Sequence, residues 1–500
     1  MMKKAAILIT LGMILFAACA PQPTADETEQ PSIASGPADV ELTVEPDQEK
    51  PSKEDVLEEL NATSAAIISS GLPEGASDKP LSEGLLLTIW GPTTGTLNVI
   101  DSVTGQRLKD RNSIPLGAAS SRKLSPDGTM LAIVVYPSNS TGHGGKLHLI
   151  DLKTWMDEPT DIQFDDWAGA MAFSPDGKTL TLTFTDQNKS LIRMVDVSTK
   201  AVVKEASLDY WPMQMAYTPD GRSIALYGGH SDETNQVNPI PIIELRDART
   251  LQPLWKQALT DIQDGRYLKP SEDANDYEAG TWMMPGVVFS HDGSKLYIVH
   301  AAEDKLTTVD LTARSVSSAA IQPPHTFLDW LVGLTAQRAY AKMLNGTEKQ
   351  AYLSPDGTRL YVIGRTYKST NTNGQIDMDV TSLGLQVIDP ATGTELHRMD
   401  DIEANNLAIS ADGSRLYVYG WSDSMGGGTP WTKVYDTASF EEISSNDKLT
   451  ISEAASLDGK VVLVSSSGGA YTSRIAFLDS KTYEPKVEWK INGWVEWGVP

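Results

Sequence analysis

Tryptophans beside carboxylates are the residues of this chain whose types and spacing suggest chemistry. Asp165-Asp166-Trp167, Asp209-Tyr210-Trp211 and Asp329-Trp330 each set an acid near an indole, and Trp282 and Trp494 stand at comparable points of the sequence. An aromatic, acidic surface stacks on sugars or aromatic side chains and draws cations over its ring faces. The expected ligand-binding residues are therefore Trp167, Trp211, Trp282, Trp330, Asp166, Asp209 and Asp329; the same tryptophans would also serve as spacers between packed repeats. Two acidic runs, Ser271-Glu272-Asp273-Ala274-Asn275-Asp276 and Asp377-Met378-Asp379, offer oxygen ligands that suit calcium, without the EF-hand spacing. His143, His148, His230, His300, His325 and His397 lack close metal-ligand spacing, and His291 replaces a turn proline and is expected at the surface. His230 and His325 fall in long connections and could meet through space. No Gly-x-Ser-x-Gly, His-Glu-x-x-His or phosphate-cradling glycine loop occurs, so no catalytic residue is assigned.

The N-terminus carries a different chemistry. Met1-Met2-Lys3-Lys4 precedes an apolar run from Ala5 to Ala18, and then comes Cys19, the single cysteine of the chain. A basic start and a short apolar stretch describe a signal peptide, and one cysteine excludes an intramolecular disulfide. Leu15-Phe16-Ala17-Ala18-Cys19 resembles the bacterial lipobox, although Phe16 stands where leucine is usual. Residues 1–19 are thus expected to be a lipoprotein signal with Cys19 as the lipidation site, and acyl chains anchor by burying methylenes. Residues 20–53, rich in Pro, Asp, Glu, Ser and Thr, read as a disordered acidic tether. Residues 54–80 read as a short helix and linker, since Val56, Leu57, Leu60, Ala65, Ile67 and Ile68 recur with helical spacing before Gly71 and Pro73.

Residues 81–500 are repetitive. Ser-Pro-Asp-Gly opens a strand at Ser125, Ser174 and Ser354, and variants do so at Thr218, Ser290, Ser410 and Ser456. Asp-Gly between two β-runs marks a tight turn whose glycine takes positive φ. A second element is an apolar strand ending in aspartate: Asp101, Asp151, Asp196, Asp247, Asp310, Asp389, Asp436 and Asp479. Each such carboxylate is expected to accept backbone N–H groups in a turn. The unit is a four-stranded antiparallel meander that must stack on neighbours, which predicts an all-β propeller. Eight Asp turns against seven Asp-Gly turns predict eight blades, with seven as the alternative, and a first blade completed by the C-terminal strand around Trp494-Val495-Glu496-Trp497.

The Ser-Pro-Asp-Gly-x-x-Leu-Tyr-Val pattern resembles the YVTN family of β-propeller repeats of secreted bacterial and archaeal proteins, related in shape to the lactonase and amine-dehydrogenase propellers. The resemblance spans roughly residues 85–500 and implies a fold, since such propellers act as scaffolds, binding modules and enzymes. A formal charge of −25 argues against a nucleic-acid partner. The long connections, Pro137–Lys146, Gly228–Pro241, Arg365–Gly384, Trp421–Trp431, Asp261–Trp282 and Pro323–Gln350, all emerge at one end of the units, where binding surfaces usually form. The expected function is an envelope-anchored, extracytoplasmic propeller that binds or scaffolds a protein, peptide or glycan, its membrane contact being the lipid anchor alone. The alternative is a lactonase-like or metal-dependent propeller hydrolase or lyase. Ala20 after Cys19 resembles the signal for outer-membrane sorting, and in a bacterium with one membrane the same anchor would place the protein on the outer face of the cytoplasmic membrane.

Overall fold

The computed structural model describes residues 72–497 except 81–83, 91–94, 102, 138–143, 165–167, 187–188, 230–236, 270–271, 273–279, 324–345, 373–374, 422–428, 448–449, 456–460, 468–471, 480, 484 and 493. Cys19, the tether and the helix expected after it lie outside the described residues. Among the described residues there is no helix, and every regular element is a strand.

Each unit forms as a meander because its turns leave the chain no other course. In Ser125-Pro126-Asp127-Gly128 the Ser125 hydroxyl donates to Asp127 at 2.7 Å and accepts from the Met130 amide at 2.9 Å. Gly128 sits at φ +68°, a backbone conformation that costs any residue with a Cβ. The next apolar runs then fall into register, as in Thr179–Asp186 against Lys189–Asp196 and then Ala201–Leu208.

The meanders assemble as a β-propeller. Counted as hydrogen-bonded sheets among the described residues there are seven, the smaller of the two expected numbers, although eight sequence units contribute. The physical reason is the 11-residue strand Ile114–Leu124. Its first residues pair with Gly95–Leu97 of the first unit, and its later residues pair with Leu131–Tyr136 of the second. Two units thereby share one nine-stranded sheet.

The ring closes as the sequence implies, with the C-terminal strand Trp494–Trp497 antiparallel to Leu87–Trp90. Leu87, Ile89 and Ile100 of the first unit pack with Ile475, Phe477 and Ile491 of the last. Burying each such side chain contributes roughly 1.5–3 kcal/mol. A second closure, absent from the sequence reading, lies at the rim. Ala76–Ser77 pairs parallel with Arg107–Leu108, the Ser77 hydroxyl and Lys79 ammonium both reach Asp101, and Leu72 packs over the same seam.

The first strand of each unit faces the axis, and neighbouring first strands touch. Ser121 Oγ donates to the Ala168 carbonyl, and Gln214 Nε2 donates to the Val287 carbonyl at 3.2 Å. A Cβ on Gly286 would meet that of Ala351 at 3.0 Å. These inner strands run in one sense, each ending at its Asp-Gly turn. Their starts therefore gather at the opposite end, with the long connections.

Candidate functional site

The two ends of the propeller differ in how their polar groups are satisfied. At the short-turn end, Ser or Thr bonds Asp in all six Asp-Gly turns that are described, from Ser125–Asp127 to Ser410–Asp412. These bonds and backbone amides hold the turn carboxyls below their ordinary range, Asp356 and Asp412 at about 2. All eight aspartates of the second element accept backbone amides, as Asp247 does from Arg249 and Thr250. They are turn formers, as the sequence implies, and their carboxylates are engaged in their own loops.

The long-loop end instead presents apolar surface. Trp211 begins the inner strand Trp211–Tyr217, half-buried, with its ring over Gly169 of the preceding inner strand, where a Cβ would stand 3.3 Å from it. The ladder to Ser223–Gly229 skips between Pro212 and Gln214, so Met213 is an extra, unpaired residue and is 45% exposed. Gly228 is required here, since a Cβ would come within 2.0 Å of the Trp211 carbonyl oxygen.

Just before the next unit begins at Gly286, the stretch Thr281–Met284 pairs with Gly265–Tyr267 on one side and parallel to Gly346–Glu348 on the other, so that it extends the sheet of the unit after that. Trp282, Met283 and Met284 are all half-buried. Gln214 meets Val287, and Trp211 and Met284 both lie before that contact on their strands, toward the long-loop end. Ile240, 45% exposed, closes the connection that leads out of Gly229. Indole rings and methionines form a soft, polarizable surface that fits apolar or aromatic groups and cations.

Charged groups brace this end from beneath. Lys349 is buried; its ammonium donates to the Glu303 carbonyl at 3.1 Å and lies 3.5 Å from Asp304, and burial pulls its proton affinity down. Arg398 joins Asp304 to Glu395, and Gln386 donates to Glu395. Arg365 pairs with Glu348 at 2.8 Å, at the base of a two-stranded ribbon. That ribbon corrects the expected loop 365–384, because Leu360–Thr372 and Gln375–Ile388 pair out to Thr372 and Gln375. His300 is buried, bonds the Thr307 hydroxyl, and has its proton affinity lowered by burial.

Between the fourth and fifth units the two connections are interlocked. Asp264 accepts from the Tyr227 hydroxyl at 2.7 Å, and burial pushes its carboxyl up to about 6. The Tyr267 hydroxyl accepts from the Asp264 amide and donates to the Pro239 carbonyl. The Asn238 amide donates to the Arg266 carbonyl, and the Asn238 side chain accepts from Leu268.

Of the expected ligand-binding residues, the structure places Trp211 and Trp282 at the long-loop end. Asp209 is there too, but its carboxylate is paired with Lys256 at 2.5 Å. Trp167, Trp330, Asp166 and Asp329 lie outside the described residues. Met213, Ile240, Met283 and Asp264 were not singled out from sequence; the Met-Met pair beside Trp282 was the visible signal. Among the described residues no group of three or more His, Cys, Asp or Glu side chains is placed to hold a metal ion. Asp377 and Asp379 follow one another along the ribbon, and of the other acidic run only Glu272 is described, paired with Lys269. His291 is exposed, and its Nε2 bonds the Ser354 carbonyl at 2.8 Å.

No protein-family model matches the chain, and no curated protein sequence does. Among solved structures, the dihydro-heme d1 dehydrogenase NirN in complex with DHE is similar over 86% of this chain and 80% of its own, with a TM-score of 0.52 and 11% identity. The Cps50 (Swd1) β-propeller domain of Myceliophteria thermophila is similar over 75% and 96%, with a TM-score of 0.37 and 13% identity. At 11% identity the likeness to NirN extends to the fold alone, and it agrees with the sheets described above: the chain is an all-β propeller built from repeats.

Proposed function

We propose that this chain is a binding or scaffolding propeller of the bacterial cell envelope, with YVTN-type repeats and a lipid on Cys19. Its partner is a protein, peptide or glycan that docks on the long-loop end, and its contact with the membrane is the lipid anchor. The observation that carries this reading is the partly exposed apolar set Trp211, Met213, Ile240, Trp282, Met283 and Met284, at one end of a body whose other end is closed by hydrogen-bonded turns. Connections on one face of a rigid scaffold are where recognition surfaces form. The net charge of −25 favours cationic groups on the partner.

Thermal unfolding of the full chain with a Lys/Arg-rich aromatic peptide, a cell-wall glycan fragment and calcium tests the reading, because a native-state ligand raises the midpoint. A rise with peptide or glycan that disappears in Trp211→Ala/Trp282→Ala is expected. A rise with calcium alone, or one that survives the double substitution, would count against this surface.

A further inference from the structure

We infer that Asp264 is a pH-sensitive lock on the two connections that position the Trp282 edge of the long-loop surface, closed in acid and loosened as pH rises toward neutrality. The inference rests on the proposed role of that surface and adds a means of regulating it.

The geometry is a closed circuit. Tyr227, on the strand Ser223–Gly229, donates to Asp264; Asp264 donates its amide to Tyr267; and Tyr267 donates to Pro239, which returns the circuit to the connection that leaves Gly229. Gly265 has φ +122° and lies against Pro239, where a Cβ would stand 2.5 Å from the ring, so the crossing admits little slack. Gly265, Arg266 and Tyr267 pair directly with Met283, Trp282 and Thr281. Displacing Asp264 therefore displaces the strand that carries Trp282.

The groups packed around the carboxyl do not neutralise it. Tyr227 and Tyr267 face it, both held protonated by burial, and the cluster that Tyr227 joins, with Leu259, Ile262, Leu296 and Ile298, is apolar. Arg266 lies two residues along, and Lys269 is paired with Glu272. His230, Asp232, Glu233, Asp273, Asp276 and Glu278 of the same connections lie outside the described residues. Burial raises the Asp264 proton affinity, to about 6, and the Tyr227 hydroxyl is the one cause that lowers it. A carboxyl raised from 3.8 to about 6 in the closed state stabilises that state fully below 3.8 and loses its contribution as pH passes 6. A lock of this kind suits an extracytoplasmic protein, whose surroundings are not buffered by the cell.

Hydrogen exchange of the full chain, without any ligand, separates the lock from the binding reading. After correction for intrinsic rates, protection of residues 237–241 and 262–268 is expected to fall about tenfold between pH 5 and pH 7.5, as two protonation constants of 3.8 and 6 require. Asp264→Asn keeps the acceptor for Tyr227 and should flatten that dependence. Tyr227→Phe keeps the carboxyl without its hydrogen bond and should move the midpoint upward. Equal protection at the two pH values in the wild type, or the same dependence in Asp264→Asn, would overturn the lock. An unchanged midpoint in Tyr227→Phe would do so as well. None of these results depends on whether a peptide or glycan binds.

Discussion

The short-turn end and the long-loop end are made from the same strands, yet they satisfy their polar groups over different sequence distances. At the short-turn end the bonds that recur in every described Asp-Gly turn join partners two to five residues apart, as in Ser354 with Asp356 and Arg359, and only single bonds such as His291 to the Ser354 carbonyl and Arg359 to the Thr437 carbonyl are added across longer distances. At the long-loop end they are 37 apart for Tyr227 and Asp264, 45 for Lys349 and Asp304, and 94 for Arg398 and Asp304. Local bonds make one end uniform from unit to unit. Distant bonds make the other end particular to each seam, which is what a recognition surface requires.

The largest expected effect breaks this contrast at the short-turn end. Gly293 has φ +69°, and a Cβ there would stand 2.0 Å from the Tyr217 carbonyl of the neighbouring unit. Gly293→Ala should cost about 3 kcal/mol by denaturant unfolding, from strain and clash together. Gly357, at φ +72° with nothing near its Cβ position, should cost about 1 kcal/mol on the same change, from backbone strain alone.

At the long-loop end Arg398→Ala leaves Asp304 and Glu395 without their shared guanidinium. A loss of about 2 kcal/mol is expected, less than for a fully buried pair because both partners retain some solvent. Lys349→Met, which removes a buried ammonium while keeping its volume, should cost less than Arg398→Ala in the same assay.

The two ends should also answer pH with opposite signs. The turn carboxyls, with affinities below 3.8, stabilise the fold above that value, and the contribution is lost as pH falls toward about 2, the value reached by Asp356 and Asp412. Asp264 stabilises its seam in acid and stops doing so above about 6. Melting temperature against pH should therefore decline below pH 4, and Asp356→Asn together with Asp412→Asn should shrink that decline. The smallest effect on stability is expected for Trp211→Ala, whose ring is half-buried at the start of its strand, at about 1 kcal/mol or less.

The same contrast explains what was legible in the sequence. Asp-Gly turns and strand-ending aspartates act within a few residues, so the repeat and the turn role of Asp101 through Asp479 could be read directly, and the unequal turn counts then pointed to the closing strand at Trp494. The sharing of Ile114–Leu124 between two units could not, because nothing in an apolar run marks the residue at which it changes partner. Met213 was missed for a related reason: a bulge inverts the side of the strand on which a residue appears. Trp211 and Trp282 were visible by type, whereas Asp264 stands out only once Tyr227 folds onto it.

Oxidative footprinting tests the central claim most directly, since methionine and tryptophan are the reactive side chains and both sides of the comparison carry them. The full chain would be labelled alone and bound to isolated cell envelope, and modification read at each residue. Protection confined to Trp211, Met213, Trp282, Met283 and Met284, with Met156 on an outer strand and 55% exposed remaining reactive, is the predicted result. Protection of Met156 with the long-loop residues unchanged would contradict the account.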